Sequence, residues 1–175
     1  MRPKVKITIC ALAAVAAVAG LIPDGASAMD KKVVVGWVER VRIFPGNLVV
    51  TAKLDTGADN SSLHVADFQL FTRDGSQWVR FEAFDEAGRT VSLERPVVRM
   101  AKIKRHKEPG QNRPVVLLGI CLGDYRADAE VNLVDRSRFS YLMLIGRSFL
   151  REGFLVDSAS EYLTEPTCTK DGEKE

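Results

Sequence analysis

The chain has 175 residues, with 25 Lys and Arg against 23 Asp and Glu for a formal net charge of +2. That balance does not call for a nucleic-acid partner, and the length suits one domain with a real core rather than two. The first 28 residues differ so sharply in composition from the rest that they are read apart.

Arg2, Lys4 and Lys6 give a basic start, Ile7 to Ile22 an apolar run, and Ala26-Ser27-Ala28 a small-residue cleavage site. This is the pattern of a secretory signal peptide over residues 1–28, cleaved after Ala28. Its apolar core is shorter than the ~20 residues that cross a bilayer, so no retained membrane anchor is expected. The expected location is periplasmic or secreted. Removing the leader takes away Arg2, Lys4, Lys6 and Asp24, which leaves 147 residues with 22 basic and 22 acidic side chains. The basic cluster Lys102, Lys104, Arg105, His106 and Lys107 then reads as a solvated loop, not a phosphate-binding patch. Cys121 falls in an apolar run and Cys168 in a polar tail. Two unpaired thiols are therefore the expectation, with a disulfide as the alternative that an oxidising compartment allows.

From Lys32 onward, short β-rich runs alternate with turn residues, the pattern of an all-β domain. Val33–Ile43 reads as a strand, Pro45-Gly46-Asn47 as a turn, and Leu48–Leu54 as a second strand that delivers the chain to Asp55. Asp74-Gly75 and Glu86-Ala87-Gly88 punctuate a hairpin pair, Trp78–Phe84 and Thr90–Leu93. Val97–Ile103 is a further strand, and Lys104–Arg113 a mobile loop or hairpin tip. Val115–Leu122, Ala127–Leu133 and Tyr141–Ile145 follow as strands, Gly146–Arg151 as one short helix, and Phe154–Val156 and Tyr162–Thr164 end the ordered part. The domain is set at 29–165, with a flexible charged tail over 166–175. Trp37, Phe44, Phe81, Phe84 and Tyr141 lie in β runs and are expected in the core or an interface.

The sharpest chemical signal is Leu54-Asp55-Thr56-Gly57-Ala58-Asp59. A carboxylate at a strand end can be held rigidly, a following Thr can hydrogen-bond across a tight loop, and Gly lets backbone N–H groups approach the carboxylate. Two such carboxylates meeting across a symmetry axis cannot both ionise easily, so they share a proton and serve as base and acid toward a water between them. Alone, Asp-Thr-Gly is also an ordinary turn. Farther along, Leu144-Ile145-Gly146-Arg147-Ser148-Phe149-Leu150 presents an apolar strand ending in Gly-Arg.

Together the two segments resemble the retropepsin-like aspartic proteases. Glu130-Val131-Asn132-Leu133, Asp135-Arg136-Ser137 and Met143–Arg147 are closer still to a bacterial group often labelled ATP-dependent zinc proteases. The resemblance covers roughly Val33 to Leu163. It implies a closed retropepsin-like β barrel with one short C-terminal helix, a single-lobe subunit of a homodimer, because one Asp-Thr-Gly makes half a site. It implies Asp55 as the catalytic carboxylate, Thr56 as the hydroxyl locking the two subunits' loops, and Gly57 as the close-approach position. Ala58 and Asp59 would line the substrate backbone. Asp59 would also pair bidentately with Arg147, and Leu144, Ile145 and Gly146 would pack behind the loop. The flap is placed over Ala101–Arg113, with Gly110 near its tip, although the segment is longer, more charged and poorer in glycine than a retroviral flap.

The implied activity is hydrolysis of peptide bonds in a peptide or protein substrate, with no cofactor. A zinc peptidase fails on ligands: the mature sequence holds His64 and His106, with neither His-Glu-x-x-His nor a Cys-x-x-Cys pair. No Gly-x-x-x-x-Gly-Lys loop is present for ATP phosphates. A non-catalytic or partner-activated peptide-binding module on the same fold is the alternative.

Overall fold

The computed structural model describes residues 32–103 and 111–168. The expected signal peptide over 1–28, Gly110 with the tip of the expected flap, and the charged end Lys170–Glu175 lie outside the described residues.

The first hairpin follows from alternation. β1 (Val33–Phe44) turns at Pro45-Gly46-Asn47 into β2 (Leu48–Asp55), pairing antiparallel from Ile43 with Leu48 to Val38 with Lys53. The turn uses positive φ at Gly46 (109°) and Asn47 (53°), which Gly and Asn accept at least cost. Along β2, Leu48, Val50, Ala52 and Leu54 face the core while Val49, Thr51, Lys53 and Asp55 face outward, the period of two that a half-buried strand requires.

β3 (Ser61–His64) follows the Asp55 loop, and then β4 (Phe68–Arg73), β5 (Ser76–Phe84) and β6 (Thr90–Pro96) form a separate three-stranded meander. β7 (Arg99–Ile103) pairs antiparallel with β8 (Gln111–Leu122), β8 with β9 (Tyr125–Val134), and β10 (Met143–Gly146) runs into α1 (Arg147–Leu150) and finally β11 (Phe154–Glu161). The pairings β1–β2–β10–β3–β9–β8 close on themselves because Arg42–Phe44 of β1 also pairs with Gly119–Cys121 of β8. The expected all-β class, closed barrel and short helix are therefore present. Val41, Leu54, Leu118, Ile120, Leu133 and Ile145 fill the barrel, and Val79, Phe81, Ala83 and Leu93 of the meander join the same cluster. Phe44 and Phe81 are buried; Trp37 and Tyr141 meet edge to face at 6.0 Å.

The structure differs from the expected elements at four places. β3 and β4 carry no recognisable apolar period. In β3 all four residues are buried, yet three are polar and satisfied by distant partners: Ser61 Oγ accepts from Gly146 N–H, Ser62 Oγ from Arg136, and His64 Nδ1 from Arg136 N–H. The second change is at the C-terminus, where Tyr162–Thr164 forms no strand. Tyr162 has φ 53°, and the following N–H groups are taken by a side chain: fully buried Glu39 accepts from Gly36 N–H, Leu163 N–H, Thr164 N–H and Thr164 Oγ1.

Third, Cys121 and Cys168 are bonded, not free thiols, with Cα atoms 6.0 Å apart. Cys121 sits on the barrel strand β8, and the tail bends back so that both cysteines pack in one buried cluster with Phe44. The fourth change follows from that bridge: residues 166–168 are not loose, since Thr167 N–H also donates to the Gly123 carbonyl. The bridge spans a sequence separation of 47. Replacing both cysteines by serine is expected to lower unfolding stability by about 2 kcal/mol, the low end for such a loop because the tail is peripheral. Denaturant midpoints of the two forms measure it.

Candidate active site

Asp55 is the last residue of β2, and β10 runs parallel beside it, pairing Leu144 with Lys53, Ile145 with Leu54 and Gly146 with Asp55. Both strands end at the same level, so the loop after Asp55 lies against the start of α1. Arg147 N–H donates to the Ala58 carbonyl at 2.8 Å and Ser148 N–H to the Asp59 carbonyl at 3.0 Å. Gly146 is needed for space: a Cβ there would sit 2.6 Å from the Asn60 carbonyl carbon and 2.9 Å from the Asp59 oxygen. Leu144, Ile145, Gly146 and Arg147 thus stand together behind the Asp55 loop.

The carboxylate is held at both oxygens. Gly57 N–H and Ala58 N–H donate to Oδ1 at 3.0 and 3.2 Å, and Lys53 Nζ donates to Oδ2 at 3.2 Å. A Cβ on Gly57 would lie 3.3 Å from Asp55 Oδ1, the tight approach for which glycine suits this position. Partial burial pulls the Asp55 pKa upward, but the Lys53 ammonium and the two N–H groups outweigh it and hold the carboxyl below its ordinary value in the single chain. Thr56, Gly57 and Asp59 are exposed and Ala58 half-buried.

The expected bidentate pair of Asp59 with Arg147 is replaced by a divided one. Arg147 Nη2 donates to Asp59 Oδ1 at 3.1 Å, while Nη1 donates to the Thr56 carbonyl at 3.3 Å. The guanidinium is about half exposed and the carboxylate 72% exposed, so solvent screens the charge attraction and the geometric tie across the loop matters more.

Two further cations belong to this region, and sequence reasoning gave neither of them a role. Lys53 is one; its signal was its place two residues before Asp55, which in a strand means the same face. Arg136, in the loop after β9, is buried, donating to Ser62 Oγ and the Tyr141 carbonyl and lying over the Phe139 ring at 4.8 Å. Burial, and then the charge of Arg113, hold the Arg136 guanidinium below its usual range, with Asp55 pulling the other way. The loop that carries Arg136 is anchored to His64, whose Nδ1 accepts the Arg136 backbone N–H at 2.8 Å. Of the expected flap, Ala101–Ile103 of β7 pair antiparallel with Gln111–Arg113 of β8, and residues 104–110 lie outside the described residues. A separate groove of about 690 Å³, lined by Phe44, Arg95, Val98, Leu117 and Arg126 among others, includes none of the residues of the Asp55 loop.

The family model described as RimB-like, retropepsin-like aspartic endopeptidase RimB, matches residues 34–167. Curated relatives include a probable alpha-L-glutamate ligase of Shewanella pealeana, 32% identical over 138 residues, which are 76% of this chain and 30% of that protein. Another, from Desulfotalea psychrophila, is 31% identical over 121 residues, 66% of this chain and 26% of that protein. The chain therefore spans less than a third of the length of these relatives. A solved structure of a Legionella pneumophila protein of unknown function, classed as DUF785, superposes with a TM-score of 0.64 at 36% identity. It covers 75% of this chain and 98% of that one.

Proposed function

The chain belongs to the RimB-like family of retropepsin-like aspartic endopeptidases, and from that membership we propose that it hydrolyses peptide bonds through Asp55. The observation that carries the reading is the Asp55 carboxylate, fixed on Oδ1 by the Gly57 and Ala58 N–H groups at the end of a barrel strand. The sequence holds one Asp-Thr-Gly, so the second carboxylate comes from the Asp55 of a second copy. In the homodimer the two carboxylates share one proton. The ionised member takes a proton from a water held between them, the water attacks the peptide carbonyl, and the protonated member gives its proton to the carbonyl oxygen. Exposed Thr56 is available to bind the partner loop, and Ala58 and Asp59 to line the substrate. The flap hairpin of β7 and β8 closes over it. The leader pattern of residues 1–28 supports work in the periplasm or outside the cell.

The substrate class is an acidic peptide. Lys53, bonded to Asp55, and Arg136, whose guanidinium feels the Asp55 charge, make the surroundings of Asp55 basic, and segments similar to this chain occur within proteins named as glutamate ligases. The ligase names describe proteins more than three times the matched length, so ligation stays with those longer proteins. That same arrangement, a small matched part within a longer enzyme, is the observation that favours a second reading, an accessory peptide-binding module.

The test is cleavage of a mixed peptide library by the chain from Met29 onward, with and without a metal chelator, from acid to neutral pH. Cleavage that resists the chelator and favours glutamate-rich sequences supports the peptidase. Binding without cleavage, in a confirmed dimer, moves the assignment to the accessory module.

A further inference from the structure

We propose that Lys53 is a positioning residue of the catalytic pair, orienting Asp55 through Oδ2 and setting the pH at which the pair loses its shared proton. The inference rests on the peptidase reading above and adds a regulator to that site.

The placement is a consequence of strand geometry. Alternation along β2 puts Lys53 and Asp55 on one face, and the strand is flanked on both sides, by Val38 of β1 and by Leu144 of β10 at the level of Lys53. The lysine side chain is partly exposed, and its ammonium reaches along the strand to Asp55 Oδ2, at 3.2 Å. Oδ1 is taken by two backbone donors from the following loop and Oδ2 by the side chain from the preceding strand. One carboxylate orientation satisfies both sets.

The neighbouring elements carry other charged groups. Arg136, in the loop after β9, feels the charge of Asp55 and that of Arg113 of β8. Asp59 in the loop is tied to Arg147 of α1. His64 of β3 stands with Asp135 near its Nδ1, at 3.6 Å, and holds the backbone of Arg136. Lys53 differs from all of these in being hydrogen-bonded to the Asp55 carboxylate itself.

Two carboxylates that share a proton resist losing it, because the doubly ionised pair repels itself. A cation on the Oδ2 of each Asp55 offsets that repulsion. It favours both deprotonation steps, so the pH window in which the pair holds one proton lies lower than it would without the lysines. Removing the cation moves both limbs of the activity profile upward.

The experiment uses the chain from Met29 onward, wild type, Lys53→Met and Lys53→Arg, the first variant keeping the stem and the second the charge. The Asp55 carboxyl is titrated by carbon-13 NMR, with Asp55→Asn identifying the signal, and kcat/KM is followed against pH on a peptide the wild type cleaves. Lys53→Met is expected to raise the Asp55 midpoint and both limbs by about one pH unit, a tenfold change in proton affinity, and Lys53→Arg to restore them. An Asp55-dependent activity whose midpoint and limbs do not move in Lys53→Met overturns the role of Lys53 and leaves the peptidase reading standing. Cleavage that survives Asp55→Asn overturns both. Should no peptide be cleaved, the carboxyl titration alone decides on Lys53.

Discussion

Asp55→Asn is expected to lower kcat/KM at least ~10³-fold while leaving the fold and the dimer in place. The amide has the shape of the carboxylate, and its oxygen can still accept from Gly57 and Ala58 N–H, the bonds that fix the loop. It can act as neither base nor acid toward water at any working pH. Its NH₂ group would also face the Lys53 ammonium in place of Oδ2, a local mismatch that the partly exposed lysine can relieve by swinging into solvent. Peptide cleavage and a thermal melt on the same preparations separate the two effects. Retained cleavage would remove Asp55 from the chemistry. A collapsed melt would show that the carboxylate also holds the fold.

Gly146→Ala is expected to cost about 3 kcal/mol in stability and roughly 10²-fold in kcat/KM, although Gly146 never touches substrate. Its φ is −91°, so backbone conformation places no demand on glycine here. Space does. The added Cβ meets the backbone of Asn60 at 2.6 and 2.7 Å and the Asp59 carbonyl at 2.9 Å, and no flexible side-chain end can yield. The loop must move off β10, which stretches the bonds from Arg147 N–H to Ala58 and from Ser148 N–H to Asp59. Ala58 N–H is itself a ligand of the Asp55 carboxylate, so the displacement reaches the catalytic oxygen. A denaturant midpoint and kcat/KM on the variant check both parts. Unchanged stability would show that the packing of β10 against the loop is softer than these distances require.

Much of this site was legible before any fold was in hand, because the residues that build it do so through local rules. Asp55 ends an alternating strand, Gly57 permits close N–H approach, and Gly146-Arg147 ends a second apolar run. The barrel then sets these segments side by side through the register of β2 with β10. The bacterial retropepsin-like resemblance drawn from Glu130–Leu133, Asp135–Ser137 and Met143–Arg147 agrees with the matched family.

What the sequence concealed was polar burial satisfied at long range. Ser61, Ser62 and His64 form a strand whose hydrogen-bond partners lie more than 70 residues away, so no local pattern marks it. Glu39 looks like a solvent-facing strand residue, yet it is fully buried and anchors Leu163 and Thr164. The Cys121–Cys168 bridge depended on a tail returning to β8, which no composition argument reveals. Arg136 is concealed for the same reason: in sequence it is one charge in a polar turn, and only tertiary structure places it beside Ser62 and within the field of Asp55.

The central claim, a site completed by two copies of Asp55, is tested most directly by mixing subunits. Wild type and Asp55→Asn are unfolded together in varied ratio, refolded at fixed total concentration with the disulfide re-formed, and assayed for peptide cleavage. A shared pair requires two wild-type chains, so activity should fall as the square of the wild-type fraction. Activity that falls in direct proportion to that fraction would mean each chain carries its own complete site, and would contradict the account.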